Sequence, residues 1–262
     1  MRIPAIALAM LAMTAPAMSE TVQLYAAGSL KGALTDVAKA YEAASGKKVE
    51  SKWGASGLLK NEIAGGAKTD LFASANMEHP QALHDAGKSG PVILFARNRL
   101  CALVKPGLKV DSANLLEQML DPNVKLGSST PKADPSGDYA FEVFRKAEAL
   151  KPGAQAALEK KALLLVGAAD SAVPPAGRTV YGWHIAEGRI DVFLTYCTNA
   201  MAARQENPGQ QIVALPEKLG VGADYGLTVM NGAPAAAQAF AQFSVSPAGQ
   251  KILVSHGFAA GK

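Results

Sequence analysis

The stretch Leu24-Tyr25-Ala26-Ala27-Gly28-Ser29-Leu30-Lys31-Gly32-Ala33-Leu34 constrains the fold of this chain more than any other. Val22, Leu24 and the run to Ala27 read as a short buried strand, since a brief apolar run bounded by a turn signal suits a strand covered on both faces. A tight Gly28-Ser29 turn follows. Leu30, Ala33, Leu34, Val37, Ala38 and Tyr41 then recur at helical spacing. The turn therefore delivers Ser29 to the start of a helix that runs from about Ser29 to Ala44 and stops at Ser45-Gly46. A serine hydroxyl at that position accepts one of the unpaired backbone N–H groups. The same N–H groups, with the helix dipole behind them, attract an anion.

The unit recurs. Val49 to Trp53 alternates as a strand, Gly54-Ala55-Ser56-Gly57 turns, and Leu58, Leu59 and Ile63 begin a second helix that Gly65-Gly66 ends. Asp70-Leu71-Phe72-Ala73-Ser74-Ala75 is the next strand. The order β-α-β-α-β predicts a parallel sheet with helices on both faces, an α/β fold. Val92 to Val104 is a long strand-like run interrupted by Arg97-Asn98-Arg99, long enough to leave one lobe and enter another. Further on, Ser112 to Leu120 reads as a helix, Val124 to Gly127 as a strand, and Asp134-Pro135-Ser136-Gly137-Asp138-Tyr139 opens a helix, again with a Ser-Gly turn at its start. Lys160 to Val166 fits either helix end or strand. Val180 to Glu187 reads as helix, and Arg189 to Tyr196 as a strong strand. Gln211 to Leu215 and Gly226 to Met230 are further strands, Ala235 to Phe243 is a helix, and Ser246-Pro247 starts another, with Pro in its first turn.

The 262 residues are 49% hydrophobic and 18% charged, enough for one large or two medium domains with filled cores. The formal net charge of +4 is spread over scattered Lys and Arg with no basic stripe, which argues against nucleic acid as a partner. Residues 1–19 read as a secretory signal peptide: Arg2 is the positive start, Ile3 to Met13 the apolar core, and Ala15-Pro16-Ala17 or Ala17-Met18-Ser19 the small-residue cleavage site. The apolar run is too short to span a bilayer. Cys101 and Cys197 are the only cysteines, and in an oxidising compartment such a pair is either one disulfide or two buried thiols.

Three segments then follow one another in order: Leu24 to Leu30, Asp70 to Ala75, and Tyr196-Cys197-Thr198-Asn199-Ala200. The tail Ala239-Phe240-Ala241-Gln242-Phe243, Ser246-Pro247-Ala248-Gly249-Gln250 and His256-Gly257-Phe258 completes the set. Over nearly the whole mature chain this ordered set resembles the periplasmic molybdate-binding proteins of bacterial ABC importers, within the solute-binding proteins. The resemblance implies a two-lobed periplasmic-binding-protein fold, each lobe a mostly parallel sheet flanked by helices, with two hinge crossings. Lobe one would hold residues 20–98 plus 203–262, and lobe two residues 99–202. Cys101 and Cys197 would then lie on the two crossing strands near the start and end of lobe two, where a disulfide could join them.

The resemblance also implies the site. Ser29 and Ser56 match the serines of the first two strand-turn-helix units that bind the oxyanion. A backbone N–H near Ser136, the helix start at Thr179 and Val180, and the hydroxyl of Tyr196 complete the ligand set. The ligand would be molybdate or tungstate, with no cofactor, and the partner an ABC importer permease in the inner membrane; the receptor would be a periplasmic monomer. Three positions depart from the pattern: Asn199 stands where Asp is common, Cys197 replaces a small residue, and Arg178 flanks the helix start as a gate or an extra anion contact.

Such a set suits the chemistry. A tetrahedral dianion offers only acceptors, so hydroxyls and N–H groups bind it without a repelling carboxylate. A smaller anion such as sulfate leaves donors out of reach, and a protonated phosphate brings a donor that needs an acceptor. Other readings follow from the same residues. Ferric iron could bind Tyr196 with Tyr139, Tyr181 or His184, and Arg178 could hold a larger organic anion. An enzyme is disfavoured: His79, His84, His184 and His256 are dispersed, and neither H-E-x-x-H nor G-x-S-x-G occurs.

Overall fold

The computed structural model describes residues 21–261. The signal peptide expected at residues 1–19, with its cleavage site, lies outside the described residues.

β1 (Val22–Ala27) buries Val22, Leu24 and Ala26 on one face, leaves Gln23 exposed and Tyr25 half-buried on the other, and pairs in parallel with β2 (Val49–Gly54) and β3 (Leu71–Ser74). The turn after β1 departs from the sequence reading. Gly28–Leu30 form one turn of 3-10 helix, and α1 begins only afterwards, at Lys31–Ser45. Ser29 is therefore no N-cap, and its hydroxyl makes no capping bond. α1 buries Ala33, Leu34, Val37, Ala38 and Tyr41 and ends at Gly46, which takes the left-handed conformation (φ 70°) that glycine adopts without strain. α2 (Ser56–Ala64) and α3 (Glu78–Asp85) follow β2 and β3.

β4 (Ile93–Val104) runs unbroken through Arg97-Asn98-Arg99, because this stretch is a shared crossing strand. Its first half, Ile93 to Arg99, pairs antiparallel with β9 (Gly222–Val229), which also pairs antiparallel with β3. Its second half, Leu100 to Val104, pairs antiparallel with β7 (Val192–Tyr196) on one edge and β8 (Gln211–Ala214) on the other. Between these lie α4 (Leu115–Leu120), β5 (Leu126–Ser129), α5 (Pro135–Glu148), α6 (Ala154–Lys161), β6 (Leu163–Val166), α7 (Val180–Ala186) and α8 (Cys197–Glu206). β5 pairs in parallel with both β6 and β7. α9 (Ala235–Val245), α10 (Pro247–Ser255) and β10 (Ala259–Ala260), which pairs with β4 at Ala96 and Arg97, return to the first half.

The sheet order β2-β1-β3-β9-β4-β7-β5-β6 is thus parallel at each end and antiparallel around the crossing strand. This is a mixed α/β architecture with helices on its faces. β8 sits beside the second half at Cys101 to Val104, although it falls within 203–262. The chain regains the first half only at β9, where Leu100 N–H donates to Val221 O at 3.1 Å.

Cys101 on β4 and Cys197 are joined by a disulfide across 96 residues, with Cα atoms 4.9 Å apart. Cys197 is not on a crossing strand. β7 ends at Tyr196, and Cys197 opens α8, one position beyond the pairing of Leu100 with Tyr196.

Candidate functional site

The two halves face each other across a cleft of about 840 Å³. Its first wall is built by the turns after β1 and β2, with Gly28, Ser29, Gly54, Ala55 and Ser56, and by Trp53 and Ala75. Its second wall carries Asp134, Gly167, Arg178, Thr179, Val180 and Tyr181. Tyr196, Thr198 and Asn199 line the floor where the halves meet. Ser29, Ser56, Thr179, Val180, Tyr196 and Arg178, read from the sequence as ligand-binding or gating residues, therefore meet in one cavity. Ser136 does not line it.

Each hydroxyl has a definable state. Ser56 is buried and its Oγ accepts from Ala75 N–H at 3.1 Å, which leaves its proton for a ligand. Ser29 Oγ lies 3.0 Å from the Tyr225 hydroxyl, and Asn98 Nδ2 donates to that hydroxyl at 3.3 Å. Either hydroxyl of the Ser29–Tyr225 pair can donate, and the Ser29 proton is free for the cleft when Tyr225 is the donor. Asn98 Nδ2 donates again, to Thr198 Oγ1 at 2.8 Å, tying β4 to α8. Tyr196 is 1% exposed and its hydroxyl donates to Ala75 O at 3.3 Å. Burial, followed by the charges and dipoles of its neighbours, holds that hydroxyl far above its ordinary pKa, so it stays a neutral donor. Thr179 lines the cavity, but its Oγ1 is buried beside Gly182 and Asn207, between α7 and α8.

The helix starts are less open than the sequence suggested. Asp134 is the N-cap of α5: its Oδ1 accepts from Ser136 N–H at 3.0 Å, and Gly137 N–H donates to Asp134 O at 2.8 Å. The Ser136 N–H is thus engaged, and its hydroxyl is buried without a hydrogen-bond partner, on a residue outside the cleft lining. At α7, Thr179 N–H donates to Glu206 Oε2 at 2.6 Å, and Arg178 Nε is ion-paired with Glu206 Oε1. Arg178 is accordingly held by Glu206 at the cleft edge and is no free anion contact in this arrangement. At α2, Gly57 N–H donates across the cleft to Ala133 O at 2.9 Å. The expectation of an all-donor site also fails at Asp134, a carboxylate in the wall. Burial pushes its pKa up to about 6, against the lowering effect of the Ser136 N–H.

The matched family is decisive at this point: residues 22–259 fit the bacterial extracellular solute-binding proteins. The chain belongs to that family. A protein of Pasteurella multocida strain Pm70, itself uncharacterised, is 35% identical over 207 residues, 79% of this chain and 86% of its own. Among solved structures, the periplasmic molybdate-binding protein of Azotobacter vinelandii superposes with a TM-score of 0.70 at 19% identity, covering 91% of this chain and 98% of that one. The sulfate-binding protein SubI of Mycobacterium tuberculosis H37Rv gives 0.74 at 19% identity, covering 92% and 86%. These two likenesses bear on the fold alone. Membership makes the protein a receptor that binds a small solute for an ABC importer and works in the periplasm or outside the cell. Among the described residues no helix is long and apolar enough to cross a membrane.

For this solute-binding protein, sequence reasoning missed Asp134, Tyr225, Asn98, Thr198 and Glu206. Asp134 carried a usable signal, since an acidic residue directly before a proline that opens a helix is an N-cap pattern. Thr198 lines the cleft from within the Tyr196–Ala200 segment, whereas Tyr225, Asn98 and Glu206 stand behind the cleft and act on Ser29, Thr198 and Thr179 through pairings distant in sequence.

Proposed function

We propose that the protein captures molybdate, or tungstate, in the inter-lobe cleft and delivers it to the permease of an ABC importer in the inner membrane. What supports this reading most is the convergence of Ser29, Ser56 and Tyr196 on one cavity. Hydrogen bonds from neutral donors to a charged ligand contribute roughly 1.5–3 kcal/mol each, so several of them can replace a counter-ion. Tyr196 would exchange its bond to Ala75 O for one to the ligand. In this proposal the lobes divide along β4, with the chain returning at β9, and closure over the anion presents a surface that the permease reads. The receptor acts as a monomer, after removal of residues 1–19, and performs no chemistry on its ligand.

Ser29→Ala combined with Tyr196→Phe tests the assignment. The double variant should fold and lose at least a hundredfold in molybdate affinity, about 3 kcal/mol; unchanged affinity by calorimetry contradicts the site. A second reading is supported by the cleft itself, since about 840 Å³ lies in the range of pockets for organic ligands. An organic phosphate or carboxylate would reach Arg178 once Glu206 releases it, and its binding would depend on Arg178. Ferric iron is the reading in which Tyr196 would bind as a phenolate; among the described residues no group of three or more His, Cys, Asp and Glu is placed to hold a metal ion.

A further inference from the structure

We propose that the cleft binds its oxyanion together with one proton, held between the Asp134 carboxyl and an oxygen of the ligand. The inference rests on the proposed oxyanion site and adds a determinant of ligand class. Asp134 lines the same cavity as Ser56, Thr179 and Tyr196, and its carboxyl accepts the Ser136 N–H at Oδ1. A bare carboxylate there repels a dianion, and a carboxylic acid donates to it. The donor set around it is otherwise neutral hydroxyls, so the sign of the Asp134 interaction turns on that proton.

The surroundings favour protonation. Asp134 is buried, and a Cβ on Gly167 would lie 2.4 Å from its own Cβ, so the loop after β6 closes over it. From α5 it faces the Ser136 N–H, which favours the charged form, and Asp138, which opposes it; Ser129 of β5 adds a polar contact that also favours the charge. From α7 and the floor it faces the neutral hydroxyls of Tyr181, Tyr196 and Tyr225. Among the described residues no cation is paired with it: Arg178 is paired with Glu206, and Lys31 and the His256–Asp36 pair line the opposite wall. Burial already brings its pKa to about 6, and a dianion beside it raises it further.

The balance is simple. A proton-free dianion such as molybdate takes one proton from solvent, which ends on Asp134 and is shared with a ligand oxygen. Hydrogen phosphate brings the proton in its own hydroxyl, donates it to the Asp134 carboxylate, and takes up none. The site therefore selects tetrahedral anions that can hold a proton in a hydrogen bond, whichever partner supplies it. His256, paired with Asp36, lines the same cavity, and its substitution is the control.

The experiment is calorimetry of the mature protein with molybdate and with inorganic phosphate, from pH 6 to pH 8, in buffers of different ionisation enthalpy. Proton uptake on molybdate binding should approach one per anion at pH 8, and affinity should fall by up to about tenfold per pH unit above pH 6. Asp134→Asn, which keeps an N-cap acceptor and offers a neutral amide, should abolish the uptake and flatten the profile. Asp134→Ser serves the same purpose if the Asn variant does not fold, and His256→Gln should change neither. Molybdate binding without uptake, or with uptake that survives at position 134 and vanishes in His256→Gln, overturns the inference and leaves the molybdate reading standing. Phosphate binding that depends on Asp134, with molybdate silent, supports the inference and overturns that reading. Silence toward both anions overturns both.

Discussion

Ser56 shows how one side chain can be both structural and functional: its oxygen caps the Ala75 N–H and its proton remains for the cleft. Asp134 shows the opposite tension. It caps α5 through Ser136 N–H, yet its burial raises its pKa from the usual carboxylate range to about 6. The folded state thus binds the Asp134 proton more tightly than the unfolded chain does. Between about pH 4 and pH 6 the native state holds more protons, so stability falls as pH rises through that window and stays lower above it. Asp134→Asn should therefore raise the melting temperature at pH 8, by an amount equivalent to about 1–3 kcal/mol, and change it little at pH 4. Equal effects at both pH values would show that the carboxyl is not protonated by burial. Ser29, Ser56 and Tyr196 were legible in the sequence because each ends a recognisable strand or turn. Asp134 was legible only as a cap, since its exposure to the cleft depends on the approach of Gly167 from a loop more than thirty residues on.

At the scale of elements, α8 is held to the crossing strand by the Cys101–Cys197 disulfide and the Asn98–Thr198 hydrogen bond. Tyr196, Thr198 and Asn199 of the cleft floor flank Cys197, so the bond that fixes the helix start also fixes the site. The Asn199 amide donates to Thr195 Oγ1 at 3.0 Å, which fixes the first turn of α8 to the end of β7. Closing a loop of about a hundred residues stabilises by up to roughly 4.7 kcal/mol in the chain-entropy account. Replacing both cysteines by Ala should lower unfolding free energy by about 2–5 kcal/mol in denaturant titrations; an unchanged midpoint would mean the bond is absent in the folded protein. β1 and β3 announced themselves by short apolar runs and β2 by its alternation. α8 did not, because Cys197-Thr198-Asn199 are poor helix formers that only the packing against β4, β7 and β8 holds in helical form.

For the whole molecule, β4 is the strand both halves share, and its length in the sequence was a usable sign of a crossing. The placement of β8 was not, since a four-residue strand pairs wherever the returning chain leaves it. Contact between the halves also passes through Gly57. Its N–H reaches Ala133 O, and a Cβ there would lie 2.2 Å from Lys132 O and 2.7 Å from Ala133 O. Lys132 itself takes φ 67°, a left-handed conformation costly for a side chain, and its N–H is held by Asp138 Oδ1 at 2.9 Å. Gly57→Ala should thus keep each half folded but obstruct their approach, weakening ligand affinity about tenfold or more and enlarging the radius of gyration of the liganded protein in solution scattering. Identical scattering and affinity would exclude this contact from closure.

The most direct test of the central claim is a calorimetric titration of the ligand-free mature protein with molybdate, tungstate and sulfate in one buffer. Tight one-to-one binding of molybdate and tungstate, with sulfate too small to reach the donors of both walls, is the predicted result. Silence toward molybdate and tungstate, or preference for sulfate, would contradict it and leave the cleft to a different anion.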